Sequence, residues 1–344
     1  MTRHPDNVAA NRARRLAEWL EATLAARGEA SDAAPVPLTA DASFRRFARI
    51  ETPAGSRIVV DAPPERENNA GFVAVGAWLA HAGLPAARIL AVDETEGFLL
   101  VSDLGDDTLA RRLQATPEAL PTLYMRAVDT LIELQAAALQ DPAPVPAYDA
   151  DRLALENAIF GEWFLEGLLD LPRAPAVLTD TLAHLSELHL AAPRVLVHLD
   201  WHSRNLMVDP EGAIAFVDYQ DARLGPQGYD LISLLRDCYR DLDADVSLTL
   251  RERFLAGGRP RGLPGTDDAA QFWRTAELVG LQRHIKAIGI FARLHLREGR
   301  DHALPDIPRT LRYVRLAAGN HPELAAFADW LDDVALTRFE AWRR

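Results

Sequence analysis

The sequence predicts an α+β chain of two lobes, a small β-rich N-terminal lobe and a larger helical C-terminal lobe. Three observations lead there. Short apolar runs separated by turn residues crowd into the first hundred positions. From residue 108 onward the apolar residues recur mostly at helical spacing. Set into that helical half is one hairpin pattern, within residues 197–221, that carries His198, Asp200, Asn205 and Asp218. The expected division is residues 1–101, an N-terminal helix with the β-rich lobe, then a hinge at 102–107, then the helical lobe at 108–344.

Residues 11–27 place Leu16, Trp19, Leu20, Thr23 and Leu24 on one helical face and end at Gly28. Residues 29–37 form a Pro/Ala-rich linker. Three strands follow, the first ending near Thr39, the second over 44–50 and the third over 57–61. They are separated by turns at 40–43 and 52–56. Residues 72–82 predict a helix closed by Gly83. Residues 88–92 and 98–101 read as two further strands leading to Ser102, Asp103 and Leu104.

The second half predicts helices over 120–139, 151–169, 177–189 and 272–296, and a last one near 322–342. A Pro-rich loop separates the first two. Between 189 and 230 the pattern changes. Residues 206–208 and 213–217 are short apolar runs flanking Asp209-Pro210-Glu211-Gly212, strong turn chemistry. In an antiparallel pair the start of one strand lies beside the end of the other. Asn205 and Asp218 are therefore expected to meet at one end of the hairpin, with Asp200 on the loop before it.

That arrangement suits a divalent metal and a base. Mg²⁺ takes hard oxygen ligands, one or two from the protein and the rest from phosphates and water. Asn205 and Asp218 offer an amide oxygen and a carboxylate, which leaves Asp200 to accept a proton from a hydroxyl. Taken singly, each of these residues is also common as a turn cap. The combination Asp-x4-Asn, hairpin, Asp matches the catalytic-loop and metal motifs of kinases. His198 and Asp230 are expected to shape the loop, and Cys238 to be a small buried apolar residue.

The bulk composition limits other functions. The chain has 344 residues, enough for two ordinary cores, and 49% of them are apolar. A formal net charge of −13 argues against general nucleic-acid or anionic-membrane binding. With one cysteine, no intrachain disulfide forms. Residues 1–15 are polar and lack an apolar h-region, and no apolar run approaches a membrane span. A cytoplasmic monomer, without nucleic-acid or membrane partners, is the expectation.

His198-Leu199-Asp200, Asp218-Tyr219-Gln220 and the run Gly225-Pro226-Gln227-Gly228-Tyr229-Asp230-Leu231 resemble the aminoglycoside phosphotransferase-like kinases, which act on small molecules. One departure is plain. Kinases carry a lysine in the third strand, whereas this chain reads Ile58-Val59-Val60-Asp61-Ala62-Pro63-Pro64, and its only lysine is Lys286. An Asp at that strand position would repel phosphates unless a metal intervened. The run 38–47 with Asp61-Ala62-Pro63-Pro64, and the run 281–291 with Gln282, Arg283 and Lys286, resemble the bacterial N-acetylmuramate/N-acetylglucosamine anomeric kinases of cell-wall recycling. That family also lacks the lysine.

The resemblance implies a protein-kinase-like fold, an N-terminal nucleotide-binding lobe, ATP and Mg²⁺ as cofactors, and phosphorylation of an amino sugar at its anomeric hydroxyl. It implies Asp200 as base, with Arg204 facing the transferring phosphoryl group or a substrate carboxylate, and Asn205 and Asp218 as metal ligands. Ser43 and Arg45 would contact phosphates, unless they are simply hairpin surface. Ser102, Asp103 and Leu104 would meet the adenine through backbone. Glu162, Trp163, Arg204 and Arg283 would line the sugar site, although Trp163 also fits a core position and Glu162 a solvated face. The rival readings are a kinase for another alcohol (an aminoglycoside, choline or homoserine) and a nucleotide-binding regulator without activity.

Overall fold

The computed structural model describes residues 5–38 and 45–344, so the expected turn at 40–43 lies outside the described residues. The chain divides into two compact units. One comprises Met1–Asp106 with Ala215–Asp221, the other Asp107–Ile214 with Ala222–Arg344.

The first unit contains α1 (Pro5–Ala26), β1 (Val36–Leu38), β2 (Arg46–Thr52), β3 (Gly55–Asp61), α2 (Asn69–His81), β4 (Ile89–Asp93) and β5 (Phe98–Ser102). Among the described residues the strands form one antiparallel sheet in the order β1-β2-β3-β5-β4. Side chains alternate between the faces of a strand, and the two faces are covered differently. Leu20 and Leu24 of α1 pack against Ile50, Val59 and Leu100. Phe72 and Val73 of α2 pack against the layer of Val60, Ala62, Leu99 and Val101. Each nearly fully buried leucine in the first layer contributes about 1.5–3 kcal/mol.

Parity places Asp61 with Val59 on the α1 face. There Arg12 donates to Asp61 Oδ1 from Nε at 2.8 Å and to the Glu96 carbonyl at 2.7 Å, and its guanidinium lies 4.7 Å from the Phe98 ring centroid. The Asp61 charge is thus answered by the N-terminal helix, and the expected repulsion of phosphates gives way to a local ion pair. The segment Ala215–Asp221 is fastened to this unit. Phe216 N–H donates to the Pro85 carbonyl, Tyr219 Oη donates to the Ala87 carbonyl, and the Tyr219 ring stacks on Phe72 at 4.8 Å.

The second unit contains α3 (Leu109–Ala115), α4 (Leu120–Gln140), α5 (Ala150–Ile159), α6 (Ala176–Ala191), β6 (Arg194–Val197), β7 (Leu206–Val208) and the start of β8 (Ile214–Phe216). It continues with β9 (Arg223–Pro226), α7 (Tyr229–Leu235), α8 (Ala244–Gly258), α9 (Ala269–Glu298), α10 (Ile307–Gly319), α11 (Ala325–Trp330) and α12 (Thr337–Trp342). β7 and β8 are the arms of the expected hairpin, with Asp209 closing the turn by accepting the Gly212 and Ala213 N–H groups. The helix α9, 30 residues long, runs through the main core, which includes Phe160, Phe164, Leu281, Ile285, Ile288 and Leu311.

Several features differ from the sequence expectation; the last helix expected near 322–342 is α11, a π-helical stretch Leu331–Leu336 and α12. The single helix expected over 151–169 is α5 followed by a π-helical stretch, Phe160–Leu168. The widening begins where α9 crosses at Gly289, where a Cβ would stand 2.7 Å from the Ile159 carbonyl. The pairing of β6 with β9, Arg194 opposite Pro226 through Val197 opposite Arg223, was not expected. Four-residue strands with no alternation, far apart in sequence, leave no periodic signal.

Candidate active site

The loop between β6 and β7 is held from beneath by α7. Asp230 is fully buried, and its carboxylate accepts the His198 N–H at 2.6 Å and the Leu199 N–H at 3.0 Å. Leu199 adopts a left-handed φ of +77°, a strained conformation that these two bonds impose. Burial pushes the Asp230 carboxyl up to about 6, against the pull of His198 and the two N–H groups. The Gly228 of the Gly-Pro-x-x-Tyr-Asp-Leu run begins α7 at φ +92°, with a virtual Cβ 2.6 Å from Ala276 Cβ of α9. Glycine there lets α7 approach α9 and bring Asp230 under the loop.

The loop then turns on itself. The Asp200 carbonyl accepts the His202 N–H at 3.0 Å and Asn205 Nδ2 at 3.1 Å. Ser203 N–H donates to Asp237 Oδ2 at 2.9 Å, and the Ser203 carbonyl accepts from Ala110 N–H. With its backbone fixed, the Asp200 side chain keeps 48% of its surface accessible, 4.0 Å from His202 Nε2. Burial opposes its ionisation but is outweighed by His202, Lys286, Arg283 and His198, so its carboxyl lies below the ordinary range. Asp200 is a half-open carboxylate kept ionised, with the Lys286 and Arg283 charges of α9 favouring that form.

The α9 cations are themselves braced. Lys286 Nζ lies 3.2 Å from Glu156 Oε2 and 3.0 Å from Tyr229 Oη. Glu156 also receives Arg152 Nε at 2.6 Å and the Tyr148 hydroxyl. Arg283 is buried, with Nη1 3.7 Å from Cys238 Sγ and no hydrogen-bond partner at Nε. Gln282 bonds Asn157 of α5, one residue from Glu156, so Gln282 and Lys286, four residues apart on α9, both meet α5. Cys238 is buried, as expected.

The remaining expected site residues are placed as follows. Arg204 stacks over Tyr239 at 3.7 Å and lies 3.5 Å from Asp306. Glu162 pairs with Arg173 at 2.8 Å, and Trp163 packs against the main core. Ser43 lies outside the described residues. Arg45 is buried, 3.3 Å from Glu67 and 5.4 Å from the Phe72 centroid. Ser102 Oγ accepts the Arg88 N–H. Asp103 accepts from Arg49, Ser56 Oγ and Gly105 N–H, so its side chain braces its own segment, and Leu104 follows it. Sequence reasoning missed Arg12, Glu67, Glu156, Asp237, Tyr239 and Asp306. Each acts through a partner distant in sequence, and none sits in a recognisable motif.

Asn205 belongs to the second unit and Asp218 to the first. Asn205 spends its amide N–H on the Asp200 carbonyl, which turns Oδ1 the other way as an oxygen donor. Asp218 stands at φ +68°, with Oδ1 accepting Gln220 Nε2 at 2.7 Å. An amide oxygen and a carboxylate are donors of the hard kind that Mg²⁺ selects. Among the described residues no three His, Cys, Asp or Glu side chains gather as a metal centre.

An antiparallel sheet covered on each face by a helix, and a helical unit presenting an Asp-x4-Asn loop braced by a buried Asp, define a small-molecule phosphotransferase of the protein-kinase-like fold. Residues 35–273 match the phosphotransferase enzyme family, APH. The chain belongs to that family and, within it, to the N-acetylmuramate/N-acetylglucosamine kinases. Its similarity to the N-acetylmuramate/N-acetylglucosamine kinase of Pseudomonas aeruginosa is 37% identity, covering 88% of this chain and 89% of that one. The protein of the same name from Neisseria meningitidis serogroup B is also 37% identical, over 83% and 86% of the two chains. A solved choline/ethanolamine kinase family protein from Mesorhizobium loti shares the fold at a TM-score of 0.61 and 15% identity, over 91% of this chain and 99% of that one. The chain is thus a phosphotransferase with an alcohol group as acceptor, and the kinase family implies ATP as donor. No helix among the described residues is long and apolar enough to cross a membrane.

Proposed function

We propose that this chain transfers the γ-phosphoryl group of ATP to the anomeric hydroxyl of N-acetylmuramate and N-acetylglucosamine, giving the sugar 1-phosphate in cytoplasmic peptidoglycan recycling. The observation that carries the reading is Asp200, a half-open carboxylate held ionised on a loop fixed by Asp230, Asp237 and Asn205. The anomeric oxygen forms the new bond to γ-phosphorus, the bond to the β-γ bridging oxygen breaks, and ADP leaves. Asp200 orients the hydroxyl and receives its proton. An anomeric hydroxyl is more acidic than an ordinary alcohol, which eases that transfer to a carboxylate of low pKa.

Asn205 and Asp218 would hold Mg²⁺, which when bound neutralises phosphate charge. Arg204, fixed by Tyr239 and Asp306, would face the phosphoryl group or the lactyl carboxylate of muramate. Glu162, Trp163 and Arg283 are assigned to the sugar. Ser43 and Arg45 are assigned to the phosphates, and the backbone of Ser102, Asp103 and Leu104, in a hinge at 102–107, to adenine. The active species is taken as a monomer. The relatives' names favour an amino sugar over an aminoglycoside, choline or homoserine, and over a regulator without activity.

The test is ADP release over a panel of these alcohols, with phosphorus NMR of the product. A phosphomonoester on the anomeric carbon of N-acetylmuramate is expected, and turnover only of a cationic acceptor overturns the reading. Asp200→Asn is expected to lower kcat by about 10²–10⁴-fold while ATP still binds. Near-normal turnover in that variant removes Asp200 from its role.

A further inference from the structure

We propose that His202 is a second group on the acceptor hydroxyl: its Nε2–H donates to the oxygen whose proton Asp200 receives. This role deepens the kinase reading above and rests on Asp200 as base. His202 follows Asp200 by two residues on the loop between β6 and β7, and its backbone is tied down there. The His202 N–H donates to the Asp200 carbonyl, and the His202 carbonyl accepts the Asn205 N–H, both at 3.0 Å. The ring stands edge-on to Tyr239, with centroids 5.1 Å apart. Asp237 secures both sides of that contact, since its carboxylate accepts the Ser203 N–H at 2.9 Å and the Tyr239 N–H at 2.8 Å.

Held in this way, the imidazole is buried, with 8% of the residue exposed. Nδ1 is enclosed and unbonded, and Nε2 faces Asp200 Oδ1 at 4.0 Å, too far for a hydrogen bond. Buried polar groups ordinarily find partners, because leaving a bond unmade costs free energy. His284 of α9, equally buried, has a carbonyl against each ring nitrogen, Gly280 at 2.5 Å and Arg236 at 2.8 Å. His189 is unbonded as well, and it stands against the rings of Tyr148 and Tyr229. His202 differs from both in facing a carboxylate whose side chain is 48% accessible.

The spacing of the two groups suits a shared oxygen. An oxygen about 2.8 Å from each of two atoms that are 4.0 Å apart subtends an angle of about 90° between them, which a hydroxyl accepts. A hydroxyl has one O–H to give and two lone pairs to receive with. An ionised carboxylate only accepts, so the O–H must go to Asp200 and a lone pair to Nε2–H. The Asp200 charge favours the tautomer with its proton on Nε2 and leaves the enclosed Nδ1 as the bare nitrogen. Two bonds in fixed directions orient the hydroxyl, and its second lone pair stays open for phosphorus. As the proton passes to Asp200, the Nε2–H dipole stabilises the charge that gathers on the oxygen. Asp200, His202, Asp237 and Tyr239 all belong to the second unit.

Steady-state kinetics of the full-length protein with MgATP and N-acetylglucosamine, beside calorimetric titration with MgATP, test the role. His202→Leu keeps the bulk and removes the donor, so kcat is expected to fall by about 10²-fold or more while MgATP affinity changes less than about twofold. The amide of His202→Gln reaches the position of Nε2, whereas that of His202→Asn reaches only that of Nδ1. Glutamine should therefore recover about tenfold or more of the lost kcat, and asparagine should not. If the leucine variant does not fold, the glutamine and asparagine variants, which differ by one methylene, serve as the test. A leucine variant within about threefold of wild-type kcat, a glutamine variant no faster than leucine or asparagine, or a loss of MgATP affinity as large as the loss of kcat overturns the inference. Near-normal turnover in Asp200→Asn overturns the base assignment itself; a large loss there beside an unaffected His202→Leu overturns the role of His202 alone.

Discussion

Breaking the Lys286–Glu156 pair should damage both the fold and the acidity of the base. Nζ and Oε2 are 3.2 Å apart, and the two side chains are 11% and 4% exposed. At an effective dielectric of about 20 their attraction is about 5 kcal/mol before desolvation is counted. Removing one partner of such a pair costs about 3–5 kcal/mol, because the other charge stays buried alone. The two single variants should differ. In Lys286→Met, Glu156 keeps Arg152 at 2.6 Å, so the loss belongs at the low end. In Glu156→Gln, Lys286 keeps a hydroxyl, Tyr229, but no paired carboxylate, so the loss belongs at the high end. The double variant should be more stable than the sum of the singles predicts, by about 1–3 kcal/mol. Urea denaturation of the four proteins measures all of this. Lys286→Met should also raise the Asp200 pKa, since Lys286 helps to lower it. The acidic limb of the kcat/KM profile would then move to higher pH. Additive losses, or an unmoved acidic limb, would refute the reasoning.

Asp230→Ala strands the His198 and Leu199 N–H groups, at about 1–3 kcal/mol each, and should cost turnover more than nucleotide affinity, read from kcat against MgATP titration. Because the folded Asp230 value, about 6, is raised above 3.8, the group contributes stability at acidic pH that is lost as pH rises through about 6. The difference is about 3 kcal/mol at 1.36 kcal/mol per pH unit, and urea midpoints measured for wild type and Asp230→Asn at several pH values test it. His189 acts oppositely. It is buried against Tyr148 with neither ring nitrogen bonded, and burial lowers it to about 3. Its contribution is complete above about 6.5 and lost as pH falls toward 3, so His189→Phe should flatten the acid side of the stability profile. Gly228→Ala forces a Cβ to 2.6 Å from Ala276 at φ +92°, and should cost about 2–4 kcal/mol in thermal or urea unfolding.

The sequence by itself determined the strands of the first hundred residues and the helical character of most of the rest, because period 2 and period 3.6 are local signals. It also supplied the expectation for the chemistry of residues 197–221. The turn at 209–212 allows little but a hairpin, and the spacing of Asp200, Asn205 and Asp218 reads as base and metal donors without any fold in hand. Tertiary structure alone decided how the charges are matched. Which face Asp61 occupies depends on strand register, and its partner Arg12 comes from a helix that no motif connects to it. Arg45 finds Glu67, Lys286 finds Glu156, and β6 finds β9 only when distant segments are packed together. A Coulomb pair or a backbone ladder needs a few ångströms in space and imposes no spacing along the chain, so these contacts leave no periodic trace in the sequence.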